Sequence, residues 1–90
     1  MEIVQTLTFE RTIKKLHPNQ KEDLDKALRQ LLTDPCIGMS KKGDLAGILV
    51  YKFRLINQVT LLAYIYDKAE QKLILLALAS HENFYRDLKK

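Results

Sequence analysis

The chain has 90 residues, 47% hydrophobic and 29% charged, with 3 Gly and 2 Pro, which reads as one small domain, residues 1–90, with a core but few long loops and no disorder. A single cysteine, Cys36, and two histidines, His17 and His81, exclude an internal disulfide and zinc at ordinary ligand spacing, so no metal or cofactor is expected, and no leader or membrane span is legible, which reads as a reducing cytoplasm. The net charge of +4 is uneven: residues 1–34 balance basic against acidic side chains, whereas residues 35–58 set Lys41, Lys42, Lys52 and Arg54 against Asp44 alone, a surplus that suits a polyanion such as RNA or serves only solubility.

Glu2 to Thr8 alternates Ile3, Gln5, Leu7 with Val4, Thr6, Thr8 and reads as a first strand. Thr8 would cap a short helix carrying Phe9, Ile13 and Leu16 on one face. His17-Pro18 breaks it, because the residue before proline disfavours helical geometry. Asn19 with Glu22 resembles a capping box opening a second helix, whose Leu24, Leu28, Leu31 and Leu32 make an apolar stripe ending at Asp34-Pro35. Lys21, Asp25, Lys26 and Arg29 form its solvated face. Together the helices make a hairpin with one oily side.

Cys36 to Gly47 holds all the glycines and reads as a loop. Ile48 to Leu55 then alternates, Tyr51, Phe53 and Leu55 against Val50, Lys52 and Arg54. Asn57-Gln58 is a turn, Val59 to Tyr66 a strand, Asp67 to Gln71 a turn, and Lys72 to Ala79 a strand. The connections are short, so the three strands form an antiparallel meander. Val59–Tyr66 and Leu73–Ala79 are apolar on both faces and belong in the middle of the sheet, helices covering one side. The class is α+β, in the order β-α-α-β-β-β, with a short C-terminal helix or tail.

Lys52 and Arg54 leave one face of a strand roughly 7 Å apart, a spacing that suits neighbouring phosphates and equally a plain solvent-facing edge. His81 follows the end of an apolar strand, where an imidazole can act as general acid or base or merely cap the segment. Tyr85, four residues on, shares a face with His81 if the tail is helical and could stack on a base or, like Phe84, pin the tail to the sheet. His17 is structural in this reading, and Cys36 has no histidine beside it to activate a thiol.

The order β-α-α-βββ, the segment VYKFRLINQVTLLAYIYD (Val50 to Asp67) and the ending ALASHENFY (Ala77 to Tyr85) resemble the RelE/ParE superfamily of toxins from bacterial type II toxin–antitoxin pairs. The LLAY core, the strand-end Ser-His and the aromatic after it look most like the YafQ-type branch of RelE-like mRNA interferases. That resemblance implies a RelE-like fold over the whole chain and ribosome-dependent, metal-independent cleavage of mRNA. It assigns catalysis to His81, Lys52, Arg54 and Tyr85 and phosphate contacts to Lys52 and Arg54; the charge surplus and the strand-end cluster add Lys41, Lys42 and Arg86 as expected RNA-binding residues. Its partners would be the ribosome, mRNA and a cognate antitoxin in a heteromeric complex. RelE proper carries an arginine entering the third strand, where this chain has Val59-Thr60-Leu61-Leu62, and the YafQ branch has further histidines and an aspartate where Arg54, Asn57 and Gln58 stand. Two alternatives stay open: a ParE-like inhibitor of DNA gyrase without nuclease chemistry, and an inactive homologue that only binds antitoxin.

Overall fold

The computed structural model describes residues 1–40 and 47–81. Its elements are β1 (Glu2–Gln5), α1 (Leu7–Lys14), α2 (Pro18–Thr33), β2 (Met39–Ser40), β3 (Leu49–Leu55), β4 (Gln58–Asp67) and β5 (Lys72–Ser80). They build a sheet in the order β1-β5-β4-β3-β2, parallel between β1 and β5 and antiparallel elsewhere. The expected α+β order and meander are present, β4 and β5 lie inside the sheet, and α1 packs on β5 while α2 packs on β3. The expected C-terminal helix or tail lies outside the described residues.

Several boundaries differ from expectation. The first strand stops at Gln5, because Thr6, not Thr8, caps α1: its backbone is extended and its Oγ1 accepts from Phe9 N at 3.2 Å. The second helix opens at His17 rather than Asn19. Pro18 takes the first helical position, and Gln20 Oε1, not Glu22, reaches back to accept from His17 N at 2.8 Å. Asn19 Oδ1 accepts from Gln20 N instead. Ala27 joins Leu24 and Leu31 among the buried positions of α2, while Leu32 turns outward at 41% exposure. The expected loop after α2 contains β2, which pairs Met39 with Val50 and Ser40 with Leu49. The turn between β3 and β4 falls on Ile56-Asn57, Gln58 already being paired with Leu55.

The core lies between the helices and one face of the sheet. Tyr51, Leu62 and Leu78 form one row across it, and Leu49, Tyr64 and Leu75 another, beneath Phe9, Leu24 and Leu31. Tyr51 and Phe53 stack with centroids 5.7 Å apart. Simple alternation along β5 would send Leu75 and Leu78 to opposite faces. A register shift between Ala63/Tyr64 places Ala77 opposite Ala63 but Leu75 opposite Tyr64, and the extra residue, Leu76, resets the alternation. Leu73, Leu75 and Leu78 thereby all reach the core. Thr6 stands at this bulge: its hydroxyl lies 3.1 Å from Leu75 O and 3.2 Å from Leu76 O, sharing one proton between two carbonyls.

Tyr64 is fully buried and ties the end of α2 to the sheet. Its hydroxyl donates to Pro35 O at 2.7 Å and accepts from Gly38 N at 3.0 Å. Burial raises its pKa above the ordinary tyrosine value, and the Gly38 N–H pulls the other way. A Cβ on Gly38 would stand 2.7 Å from that hydroxyl oxygen, so glycine is what permits the approach.

Candidate functional site

The face of the sheet away from the helices has an apolar middle, Val50, Leu61 and Ala63 with Leu76, Ala77 and Ala79 against them. Toward the β3–β4 turn this face becomes polar. Alternation along β3 puts Tyr51, Phe53 and Leu55 toward the core and Lys52 and Arg54, both exposed, on the open face, as expected from the sequence. Their cross-strand partners are Leu61 and Val59, so no carboxylate sits opposite either cation. Among the described residues neither makes an ion pair; Arg29 with Asp25 on α2 does, at 3.0 Å.

Val59 joins two hollows. One, of about 310 Å³, is lined by Lys52, Phe53, Arg54 and Val59. The other, of about 210 Å³, is lined by Gln58, Val59, Ser80 and exposed His81. The register explains this arrangement. Arg54 pairs with Val59 and Thr60 with Ser80, so one step further along β5 brings His81 beside Val59 in the Arg54 row. Two strand spacings, roughly 10 Å of backbone, separate Arg54 from His81. Both side chains are long enough to lean over the valine between them.

A third hollow, of about 210 Å³, lies between α2 and the outer edge of β3, lined by Asp23, Lys26, Ala27, Gln30, Tyr51, Phe53 and Arg54. Arg54 thus borders the open face and the helix side together. Nothing in the sequence singled out Asp23, whose carboxylate Oδ2 accepts from Ile56 N at 2.7 Å across 33 positions. Val59 was equally silent, because a valine between polar groups matters only through register.

The structure therefore brings Lys52, Arg54 and His81 to one end of one sheet face. Tyr85, Arg86, Lys41 and Lys42 lie outside the described residues. Among the described residues no group of three His, Cys, Asp or Glu side chains could hold a metal ion, and no helix is long and apolar enough to cross a membrane. Chemically, two exposed cations on the sheet face that also carries an imidazole can bind an anion and exchange a proton with it.

Solved structures share this architecture. The intact RelBE toxin–antitoxin complex of E. coli aligns with a TM-score of 0.72 at 18% identity, covering 88% of this chain and 94% of that one. RelBE2 of Mycobacterium tuberculosis aligns with a TM-score of 0.75 at 21% identity, covering 89% and 96%. The YoeB/ParE toxin of Agrobacterium tumefaciens gives 0.68 at 20% identity, covering 90% and 99%. Identities this low speak for the fold alone. Among curated proteins none matches. The sequence itself, over residues 3–89, matches the family described as ParE-like toxin of type II bacterial toxin–antitoxin system, and with nearly its whole length accounted for, this chain belongs to that family.

Proposed function

We propose that this toxin is a ribosome-dependent endoribonuclease of the YafQ-like kind, acting as one domain in the cytoplasm on mRNA until a cognate antitoxin covers it. The observation that carries the reading is Val59, with Lys52 and Arg54 on one side of it and His81 on the other. In RNA cleavage of this class a ribose 2′-oxygen attacks the adjacent phosphorus, the bond to the 5′-oxygen breaks, and a 2′,3′-cyclic phosphate remains. The proton leaves the 2′-hydroxyl for a base, and an acid returns one to the departing oxygen. Negative charge builds on the non-bridging oxygens, where cations held in advance stabilise it. Lys52 and Arg54 supply that charge, and His81 handles a proton. Lys41, Lys42 and Arg86 would extend the grip on phosphates, and Tyr85 would stack on a base.

A partner antitoxin follows from the family, and a RelE mutant bound to a RelBc antitoxin peptide shares this fold with a TM-score of 0.70 at 19% identity. One observation favours a second reading. Leu61 and Leu62, both buried, lie in the Val59-Thr60-Leu61-Leu62 stretch where RelE proper carries an arginine, which suits a homologue that only binds antitoxin; a ParE-like gyrase inhibitor is the other alternative.

Controlled expression in bacteria with mapping of mRNA ends separates these readings. Codon-phased cleavage that disappears with His81→Ala supports the nuclease. Growth arrest with intact messages and double-strand DNA breaks points to gyrase, and no arrest to antitoxin binding alone. For the nuclease, Lys52→Ala/Arg54→Ala should flatten the salt dependence of RNA binding by about 1.4 in log–log slope, at about 0.7 for each single-strand phosphate that is no longer neutralised. An unchanged slope would remove both residues from the site.

A further inference from the structure

The end of β3 that carries Arg54 has an unusual support. The two-residue strand β2 pairs only with Leu49 and Val50, so among the described residues no strand flanks Tyr51 to Leu55 on the outer side. An edge segment held from one side frays more readily than one held from both. Beyond Arg54 the chain passes through Leu55 and turns at Ile56, whose φ is 60°. A β-branched residue adopts that backbone only where its surroundings enforce it.

The two-residue hairpin between Leu55 and Gln58 calls for a positive φ at its first central residue, and Asp23 bonds the amide of that residue. Asp23, Lys26, Ala27 and Gln30 lie at i, i+3, i+4 and i+7 on α2 and face the β3 edge across the shared hollow. From that face the Asp23 carboxylate takes the Ile56 N–H at 2.7 Å, a short charge-assisted bond to a backbone amide at the hairpin tip. Helix α2 is itself anchored in the core by Leu24 and Leu31, so the fixed end of this bond belongs to the rigid part of the molecule. Two residues from the tethered amide stands Arg54, lining the helix-side hollow with Asp23 and the open-face hollow with Lys52 and Val59.

We propose that Asp23 is a positioning residue of the anion site: by holding the Ile56 amide it replaces the missing outer strand and fixes the backbone from which Arg54 reaches a phosphate on the open face. The role runs through the backbone, since among the described residues no ion pair joins Asp23 to Arg54. This rests on the reading of the open face as an RNA site, with Arg54 as one of its cations. Asparagine keeps a side-chain oxygen able to accept from Ile56; alanine does not.

The test is single-turnover cleavage of a defined message on programmed ribosomes, with hydrogen exchange at the Ile56 amide alongside. Asp23→Ala should slow cleavage roughly tenfold, the scale expected when a catalytic group is displaced by a fraction of an ångström, and should strip protection from Ile56. Asp23→Asn should recover most of both. Asp23→Ala should add nothing in an Arg54→Ala background, yet should multiply the defect of Lys52→Ala. A purely structural role would act equally in both backgrounds and would sink the proposal. So would cleavage unchanged by Asp23→Ala, or an asparagine variant as slow as alanine. If the wild type cleaves no message, the RNA reading itself falls; wild-type cleavage with an indifferent Asp23→Ala overturns the tether alone.

Discussion

Replacing Tyr64 with phenylalanine removes one oxygen and strands two backbone groups. The Pro35 carbonyl loses the donor at 2.7 Å and the Gly38 amide loses the acceptor at 3.0 Å. An unsatisfied buried polar group costs about 1–3 kcal/mol, and both of these are only partly buried, so water can meet part of the demand. The expected loss is about 2 kcal/mol for the pair together. For a chain of 90 residues that lowers the melting temperature by roughly 8–16 °C. Thermal and urea unfolding of the two proteins at neutral pH measure it directly. An alkaline series adds an independent check. The folded-state pKa of Tyr64 is raised by burial, while an unfolded tyrosine titrates near 10. Below about pH 10 both states keep the proton and the contribution is whole; as pH rises further the unfolded chain releases it first, so stability falls. Phenylalanine has no such loss, and the gap between the two proteins should narrow in that window. A variant within about 0.5 kcal/mol of wild type, the spread of ordinary surface substitutions, or a gap indifferent to pH, would refute the latch.

Gly38→Ala attacks the same latch from the other side: its Cβ would sit 2.7 Å from the Tyr64 oxygen and 2.9 Å from Cε1. With the ring wholly buried, a loss of about 1–3 kcal/mol in urea unfolding is expected. Thr6→Ala removes both the cap of α1 and the donor to the β5 bulge, and should cost about 1–2 kcal/mol, with Thr6→Ser recovering most of it in the same assay. Leu75→Ala opens a void at a wholly buried position and should lower stability by about 2–5 kcal/mol. A loss below about 1 kcal/mol would mean that the bulge relaxes to fill the space.

Much of this is legible along the chain. Alternation at Tyr51, Phe53 and Leu55 against Lys52 and Arg54 describes β3 and its two faces correctly, because a half-buried strand must separate polar from apolar at every second residue. The unbroken apolar runs of β4 and β5 mark them as interior strands. The helix starts are less legible. Thr6 and Thr8 are equally good caps, and the position falls to the one whose hydroxyl also meets the β5 bulge. Likewise Asn19 and His17 compete for the start of α2, and Pro18 settles it by preferring the first turn. The leucine stripe on α2 errs at Leu32, because the helix turns toward β3 through Ala27, whose small size fits beneath the sheet edge.

Local periodicity and short motifs suffice for the class of the fold, the order of its elements apart from β2, the face on which the cations stand and the family to which the chain belongs. Which groups meet is settled at the level of packing and register. The bulge at Leu76, the latch between Tyr64 and Gly38, the tether from Asp23 to Ile56, and Val59 between Arg54 and His81 all join residues distant in the chain. Strand register and helix docking set such pairings, and both are chosen by the whole core at once: shifting a strand by one residue leaves its local pattern unchanged while sending every side chain to the other face.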